Sequence, residues 1–446
     1  MESWATFGSD FYLDLSGTGG LRSRLTRSLR DAIRSARLAP GTRLPSSRTL
    51  AVDLGVARNT VAAAYDELVA EGWLTARRGS GTRVAQRVTP PAPALRQATV
   101  AQSMLDLSVS TPDITLFPRT GWLRSARRAL TVAPHDAFAP CDAQGRVELR
   151  VALAEYLARA RGVRADPGRI VVVSGTAHAL RLLNVLVPGP FAVESYGLGF
   201  HRDLLSATTP VPVDDHGVRV EYMPAVPAAL LTPAHQFPLG GPLHPRRRAD
   251  AVEWARATDA WVLEDDYDGE FRYDRDPVGA LQGLDPERVV YLGTASKSLS
   301  PALRLGWMVV PDRLVDPVVA LKGESEQYSS ALDQLTLADF ISSGEYDSHV
   351  RRMRSRYRQR RDQLVAASPV PVSGLAAGLH AVLELPAGRE PAVVRAARAA
   401  GLGVSGLDHY RHPDAAPERH GLVVSFGAPA FPRALAPLCR VLAEHG

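Results

Sequence analysis

In LRSRLTRSLRDAIRSAR, apolar residues recur every four positions: Leu21, Leu25, Leu29 and Ile33 make one stripe, with arginines around it. That period predicts an amphipathic helix over 21–37, ended by Pro40-Gly41. A short helix follows over Ser47–Leu54, with Ser46 or Ser47 as its cap and Gly55 at the turn. A third fits Ala57–Glu71, with Gly72 after it. WLTARRGSGTRVA then reads as two strands around Gly79-Ser80-Gly81, a hairpin. Helix, helix–turn–helix and hairpin in that order predict a winged helix-turn-helix over 10–85.

Residues 86–104 predict an extended linker, since VTPPAPALRQ alone holds three prolines. From 105 to 446 the pattern changes, and short apolar runs punctuated by Gly and Pro alternate with helical periods. Strands fit Arg169–Ser174, Phe191–Val193, Ala229–Leu231, Trp261–Leu263 and Val289–Leu292. This alternation predicts an α/β unit built on a parallel sheet, its larger part over about 150–345. A more helical part over about 346–446 includes strands such as Ala381–Leu385 and Gly421–Phe426. HVRRMRSRYRQRRDQL carries seven arginines, yet Val350, Met353, Tyr357 and Leu364 share one helical face. A buried stripe with a solvated basic flank explains it better than a second nucleic-acid surface. There is no run of about 18 apolar residues and no leader pattern, so a cytoplasmic protein without a membrane span is expected. Cys141 and Cys439 lack metal or CxxC spacing and read as free thiols.

Charge separates the two parts. Residues 1–100 hold 14 arginines against 8 acids, whereas the whole chain is +5, leaving −1 for the remainder. A basic module on a neutral body points to a polyanion partner for the module alone. In a helix-turn-helix the second helix enters the major groove of double-stranded DNA, first residues foremost. Here these are Arg58, Asn59 and Thr60: a guanine donor, an adenine reader and a phosphate or methyl contact. Arg48, with Ser46 and Ser47 beside it, opens the preceding helix, and Gly79, Ser80 and Gly81 let the hairpin tip approach a groove. LPSSRTLAVDLGVARNTVAAAYDELVAEGWLTARRGSGTRV closely resembles the GntR-type winged-helix domain.

The chain's 52 cations include only two lysines, Lys297 and Lys322. A lysine can shed its proton and act as a nucleophile, and arginine cannot. Lys297 lies in GTASKSLSPALRLGW, after the apolar run VVYLGT. Asp265 ends the strand WVLEDD, where open α/β sheets bind ligands, and Tyr267 is two residues on. Ser174-Gly175-Thr176 ends another strand and opens a helix whose N–H groups suit a phosphate. Each feature alone is commonplace; their order on successive strand ends is not.

Over 10–446 the chain resembles the MocR-type regulators, a GntR winged helix fused to a fold-type-I aminotransferase-like domain. VLEDDYDGEFRYDRDPVGALQGLD, VVYLGTASKSLSPALRLGWMV, LLTPAHQFPLG and HVRRMRSRYRQRRDQL carry the likeness. The resemblance implies pyridoxal 5'-phosphate held as a Schiff base on Lys297, with Asp265 pairing its pyridinium nitrogen. Tyr267, His235 and Gln236 would lie near the ring's oxygen, and Ser174, Gly175, Thr176, Ser296 and Arg304 would hold the phosphate. It also implies a head-to-tail homodimer and a small-molecule effector, the cofactor itself or an amine, that controls operator binding.

Three departures bear on chemistry. Pro140 and Cys141 replace the family's Tyr-Gly, Leu198 stands where an aromatic stacks on the ring, and the last strand lacks a carboxylate-clamping arginine, Arg419 being nearest. These favour a sensor over a working aminotransferase. Two alternatives stand beside it: an active aminotransferase with an accessory winged helix, and a decayed site serving as a dimerisation scaffold.

Overall fold

A computed structural model describes residues 13, 15, 18–77, 81–86, 104–108, 112–139, 142–273, 279–325 and 329–446. The linker prolines, Gly79, Ser80, Pro140 and Cys141 lie outside the described residues. The chain divides into two units, Met1–Val100 and Ala101–Gly446.

The first unit has helices Leu21–Arg34, Ser47–Leu54 and Arg58–Ala70, then antiparallel strands Leu74–Arg77 and Gly81–Val84. Leu25, Leu29, Leu50, Val61, Ala64, Leu68, Leu74 and Val84 form its core. The first helix stops short of 37 because Ser35 caps it and Ala36 turns left-handed at φ 57°. Ser46 is the cap of the second helix, its Oγ accepting from Thr49 N at 3.1 Å. Gly55, at φ 63°, takes the left-handed turn that a side chain would resist. Arg30 grips Glu71 with two nitrogens and ties the first helix to the end of the third.

The second unit is built on a seven-stranded sheet. Its order is Ile170–Val173, Gly306–Val309, Val289–Thr294, Trp261–Asp265, Ala228–Leu231, Phe191–Glu194, Thr208–Val211. The expected strands are all there, but the expectation of a parallel sheet needs correction. Gly306–Val309 runs antiparallel to both neighbours. Its connection from Val289–Thr294 covers only 295–305, too short for the crossover that parallel strands need. Ile170–Val173 and Val289–Thr294 are buried along their whole length, as strands covered on both faces must be.

A second, antiparallel sheet joins Val372–Ser373, His380–Glu384, Gly421–Ser425 and Ser405–Gly406. Helices Glu345–Ala367, Glu390–Ala399 and Phe431–His445 belong to the same part, whose core includes Tyr357, Leu383, Val424 and Phe431. Val350, Met353, Tyr357 and Leu364 are buried as their spacing predicts, while Arg360 turns inward to Asp113 at 2.6 Å.

Candidate functional site

The strand ends of the large sheet open into a cavity of about 480 Å³ lined by residues of the second unit alone. Lys297 stands in it, on the short connection between antiparallel strands. Burial lowers its ammonium below the ordinary lysine range, with Asp268 and Asp265 pulling the other way. The amine therefore loses its proton more readily than a solvated lysine, as a nucleophile must.

Asp265 reaches the cavity from the end of Trp261–Asp265 and is 4 % exposed. Burial, then the charge of Asp266, pushes its carboxyl up to about 7. Its close contacts are weak ones: Thr176 Oγ1 at 3.4 Å and His201 Nδ1 at 3.6 Å. His201 carries no compensating charge, because burial and Lys297 hold it down at about 4. Lys297 draws the carboxyl down only weakly against burial, so this position suits a ligand that brings a cation of its own. Its neighbours are spent elsewhere: Asp266 binds Arg161, and Glu264 accepts from Leu281 N and Gln282 N.

Beside them begins the helix Thr176–Leu186, whose first turn no side chain caps. Gly175 holds φ 121°, and a Cβ there would come 4.0 Å from Arg304 Nη1. A Cβ at Gly306 would sit 2.9 Å from Gly175 Cα, so both glycines let the two backbones meet. Ser296 also lines the cavity, and Arg304 sits at φ 52°, an uncommon posture for a non-glycine residue. Free N–H groups at a helix start, a guanidinium and a hydroxyl make a phosphate cradle.

The structure thus gathers Lys297, Asp265, Tyr267, Gly175, Thr176, Ser296 and Arg304 around one cavity. It places three predicted residues otherwise. Ser174 Oγ bonds His178 Nδ1 at 3.2 Å. Gln236 spends its amide on the carbonyls of Tyr196 and Phe237 and on Leu239 N. His235 lies behind Tyr267, its Nδ1 2.9 Å from Asp268 Oδ2 and 3.0 Å from the tyrosine hydroxyl.

Two of the three departures fall on described residues. Leu198 lines the cavity and packs into the core beneath it. Tyr196 has its hydroxyl occupied by Glu418 N and Arg419 N, and Phe200 is exposed at the cavity rim. Arg419 bonds Asp215 at 2.6 Å and does not line the cavity, and the last strand presents Ser425 instead. Sequence reasoning missed His201, His380, His409 and Tyr410, which line the same space. Only His201 had a local signal, lying one helical turn beyond Leu198 in LGFHR. His235, Asp268 and His380 bring ligand atoms within 4.8 Å of one another, as a metal centre would. Hydrogen bonds join His235 Nδ1 to Asp268 and His380 Nε2 to the Pro238 carbonyl, while His235 Nε2 is buried without a hydrogen-bond partner.

Residues 21–84 match the family model for bacterial regulatory proteins of the gntR family. Residues 234–397 match that for aminotransferase class I and II. The probable rhizopine catabolism regulatory protein MocR of Rhizobium meliloti is 36% identical, over 79% of this chain and 78% of that protein. The chain belongs to the MocR-type transcriptional regulators. Another such regulator, the HTH-type pyridoxine biosynthesis transcriptional regulator PdxR of Corynebacterium glutamicum, is 34% identical, over 91% of this chain and 92% of its own. The second unit of this MocR-type regulator has the fold of the aminotransferases. An archaeal alanine:glyoxylate aminotransferase superposes with a TM-score of 0.70 at 24% identity, covering 77% of this chain and 91% of the enzyme.

In the winged helix, Arg58 and Asn59 are exposed at the start of their helix, with Thr60 half-buried. Arg48 and Gly81 are exposed, and Ser47 is half-buried. Ser46 has committed its hydroxyl to capping. No helix among the described residues is long and apolar enough to cross a membrane.

Proposed function

We propose that this regulator binds pyridoxal phosphate on Lys297 and uses the state of that site to set its affinity for operator DNA. The observation that carries the reading is Asp265, a buried carboxyl pushed up to about 7 by burial and by the charge of Asp266, lining the same cavity as Lys297. When bound, the cofactor supplies an aldehyde that condenses with amines and a ring that withdraws electrons. Lys297 offers the amine for attachment. Asp265 would hold the proton on the pyridinium nitrogen, and Tyr267 would donate to the ring oxygen. The Thr176 helix start, Ser296 and Arg304 would take the phosphate.

A sensor role is favoured over turnover of amino acids by the cavity's arginines. Arg304 faces the phosphate cradle, and Arg202 donates to the carbonyls of Gly197, Tyr410 and Arg411. With Arg419 on Asp215, no other arginine is placed to clamp a substrate carboxylate among the described lining residues. The effector is therefore pyridoxal phosphate itself or an amine that competes with Lys297 for it. Leu123, Leu130, Val132, Phe138 and Leu332 leave apolar surface exposed, and a second copy of the chain, in a cytoplasmic homodimer, would cover it.

Promoter binding measured with and without pyridoxal phosphate tests the reading. A coupling of about 1–3 kcal/mol corresponds to a roughly 5- to 150-fold change in affinity. Identical affinities would leave the site without a regulatory role. In the same assay Arg58→Ala is expected to weaken binding by about 1–3 kcal/mol and to relax discrimination at one base pair.

The buried carboxyl also predicts a pH dependence. Asp265 has its folded pKa raised, so the cofactor-free protein loses stability as pH climbs toward and through about 7 and that group ionises. A pyridinium beside the carboxylate would supply a cation of its own. The rise in melting temperature on adding cofactor should therefore grow between about pH 4 and pH 7 and level off above. A rise that shrinks over that range would contradict the pairing.

A further inference from the structure

Behind Tyr267 lies a polar pair that cofactor attachment does not itself require. His235 is 3 % exposed and Asp268 2 %, and they meet through Nδ1 and Oδ2 at 2.9 Å. They come from different places, His235 from the loop after Ala228–Leu231 and Asp268 from the turn after Trp261–Asp265. The backbone of the second sheet's leading segment seals them. Gly378 holds φ 67°, and a Cβ there would lie 2.2 Å from His235 Cε1 and 2.6 Å from Asp268 Oδ2. Gly378 is pinned in turn by its N–H on the Phe271 carbonyl at 2.7 Å and by the Tyr273 hydroxyl on its own carbonyl.

This arrangement dictates where one hydrogen points. An ionised carboxylate can only accept, so Asp268 places the imidazole proton on Nδ1. The Tyr267 hydroxyl lies 3.0 Å from that nitrogen and 3.2 Å from the His235 carbonyl. A ring N–H cannot also accept, so the tyrosine's hydrogen is denied to Nδ1. It is left to the His235 carbonyl, to the Asp268 carboxylate, which also hydrogen-bonds the tyrosine, or to an acceptor in the cavity that Tyr267 lines.

We propose that Asp268 and His235 are positioning residues for Tyr267: the pair holds the imidazole as its Nδ1–H tautomer and so aims the tyrosine's hydrogen at the ring oxygen of bound pyridoxal phosphate. The inference rests on the reading of the cavity as a cofactor site. Without the carboxylate, Nδ1 can present a lone pair and draw the hydrogen back from the cavity. The other titratable groups facing this array are Asp265 and Glu194 on Tyr267, and His380, whose ring lies 5.2 Å from that of His235. Lys297 bears on His380 from the cavity side.

The test is the pH titration of the lysine-bound cofactor's absorption in the full-length protein. Asp268→Asn is measured alone and in a Tyr267→Phe background. Alone it should move the midpoint by about half a pH unit or more, because a hydrogen bond to the ionised oxygen is gained or lost. In the Tyr267→Phe background the shift should fall to less than half of that, since coupled residues are not additive. Equal shifts in both backgrounds would mean that Asp268 acts by charge alone, and no shift in either would mean no action; each overturns the proposal. His235→Asn, run through the same cycle, must give the same pattern and decides the matter should Asp268→Asn fail to fold. Loss of cofactor uptake in both variants also counts against it, because a positioning pair is dispensable for capture by Lys297. Absence of lysine-bound absorption in the unaltered protein is a different result, and it sinks the cofactor reading itself.

Discussion

Lys297→Arg is expected to abolish covalent retention of pyridoxal phosphate while leaving the fold in place. The substitution keeps a cation of similar reach, so lost charge cannot explain the result. What disappears is an amine able to exist without its proton. Burial lowers the Lys297 ammonium and readies it for attack, whereas a guanidinium stays protonated at any pH the protein survives. Borohydride reduction followed by mass spectrometry reads the outcome. The unaltered protein should carry the cofactor's mass on the peptide containing Lys297, and the variant should carry none. Undiminished labelling of the variant would place attachment elsewhere and remove the basis for reading the cavity as a cofactor site. The other lysine is a poor rival, since Lys322 is buried with Nζ donating to the Ala143 carbonyl at 2.7 Å.

The largest stability effect is expected at Arg161. Its guanidinium, 3 % exposed, meets Asp266 through Nε at 2.7 Å and Nη2 at 3.0 Å, and Nη1 donates to the Gly269 carbonyl at 3.1 Å. Tyr291 donates its hydroxyl to the same carboxylate at 2.7 Å. Arg161→Met leaves Asp266 buried with no cation, which costs about 3–5 kcal/mol. That is a large share of the roughly 5–15 kcal/mol by which domains are stable. The site should suffer as well, because Asp266 is next to Asp265 and its charge is already the second cause of the raised Asp265 carboxyl. Urea denaturation of the cofactor-free protein measures the loss. Removing both partners, as in Arg161→Met with Asp266→Leu, should recover part of it, since no charge is left buried, although the Tyr291 hydroxyl loses its acceptor and the Gly269 carbonyl its donor. A single-variant loss below about 1 kcal/mol would show that the carboxylate finds another partner.

The site was legible wherever its chemistry was local. Lys297 stood out because the chain uses lysine at only two of its 52 cationic positions, and Asp265, Gly175 and Thr176 sit at strand ends that apolar runs mark out. Ser174 and Gln236 were misplaced because a residue's position in a motif does not reveal which partner its side chain takes. In the folded chain His178 and a set of backbone groups claim them first. His380 and Tyr410 were invisible for the opposite reason. They are more than eighty residues from Lys297 and more than a hundred from Asp265, and no sequence period connects them to the cavity.

Local rules, then, were enough to specify the winged helix: a stripe of leucines, a serine cap and a glycine turn act within a few residues of one another, and those are the interactions a sequence displays. They also singled out Lys297, whose amine the proposed cofactor attachment requires. The direction of Gly306–Val309, the removal of Arg419 to Asp215 and the seal of Gly378 over His235 and Asp268 were decided by tertiary structure. Each depends on the space left by distant segments and on which buried polar group finds a partner first.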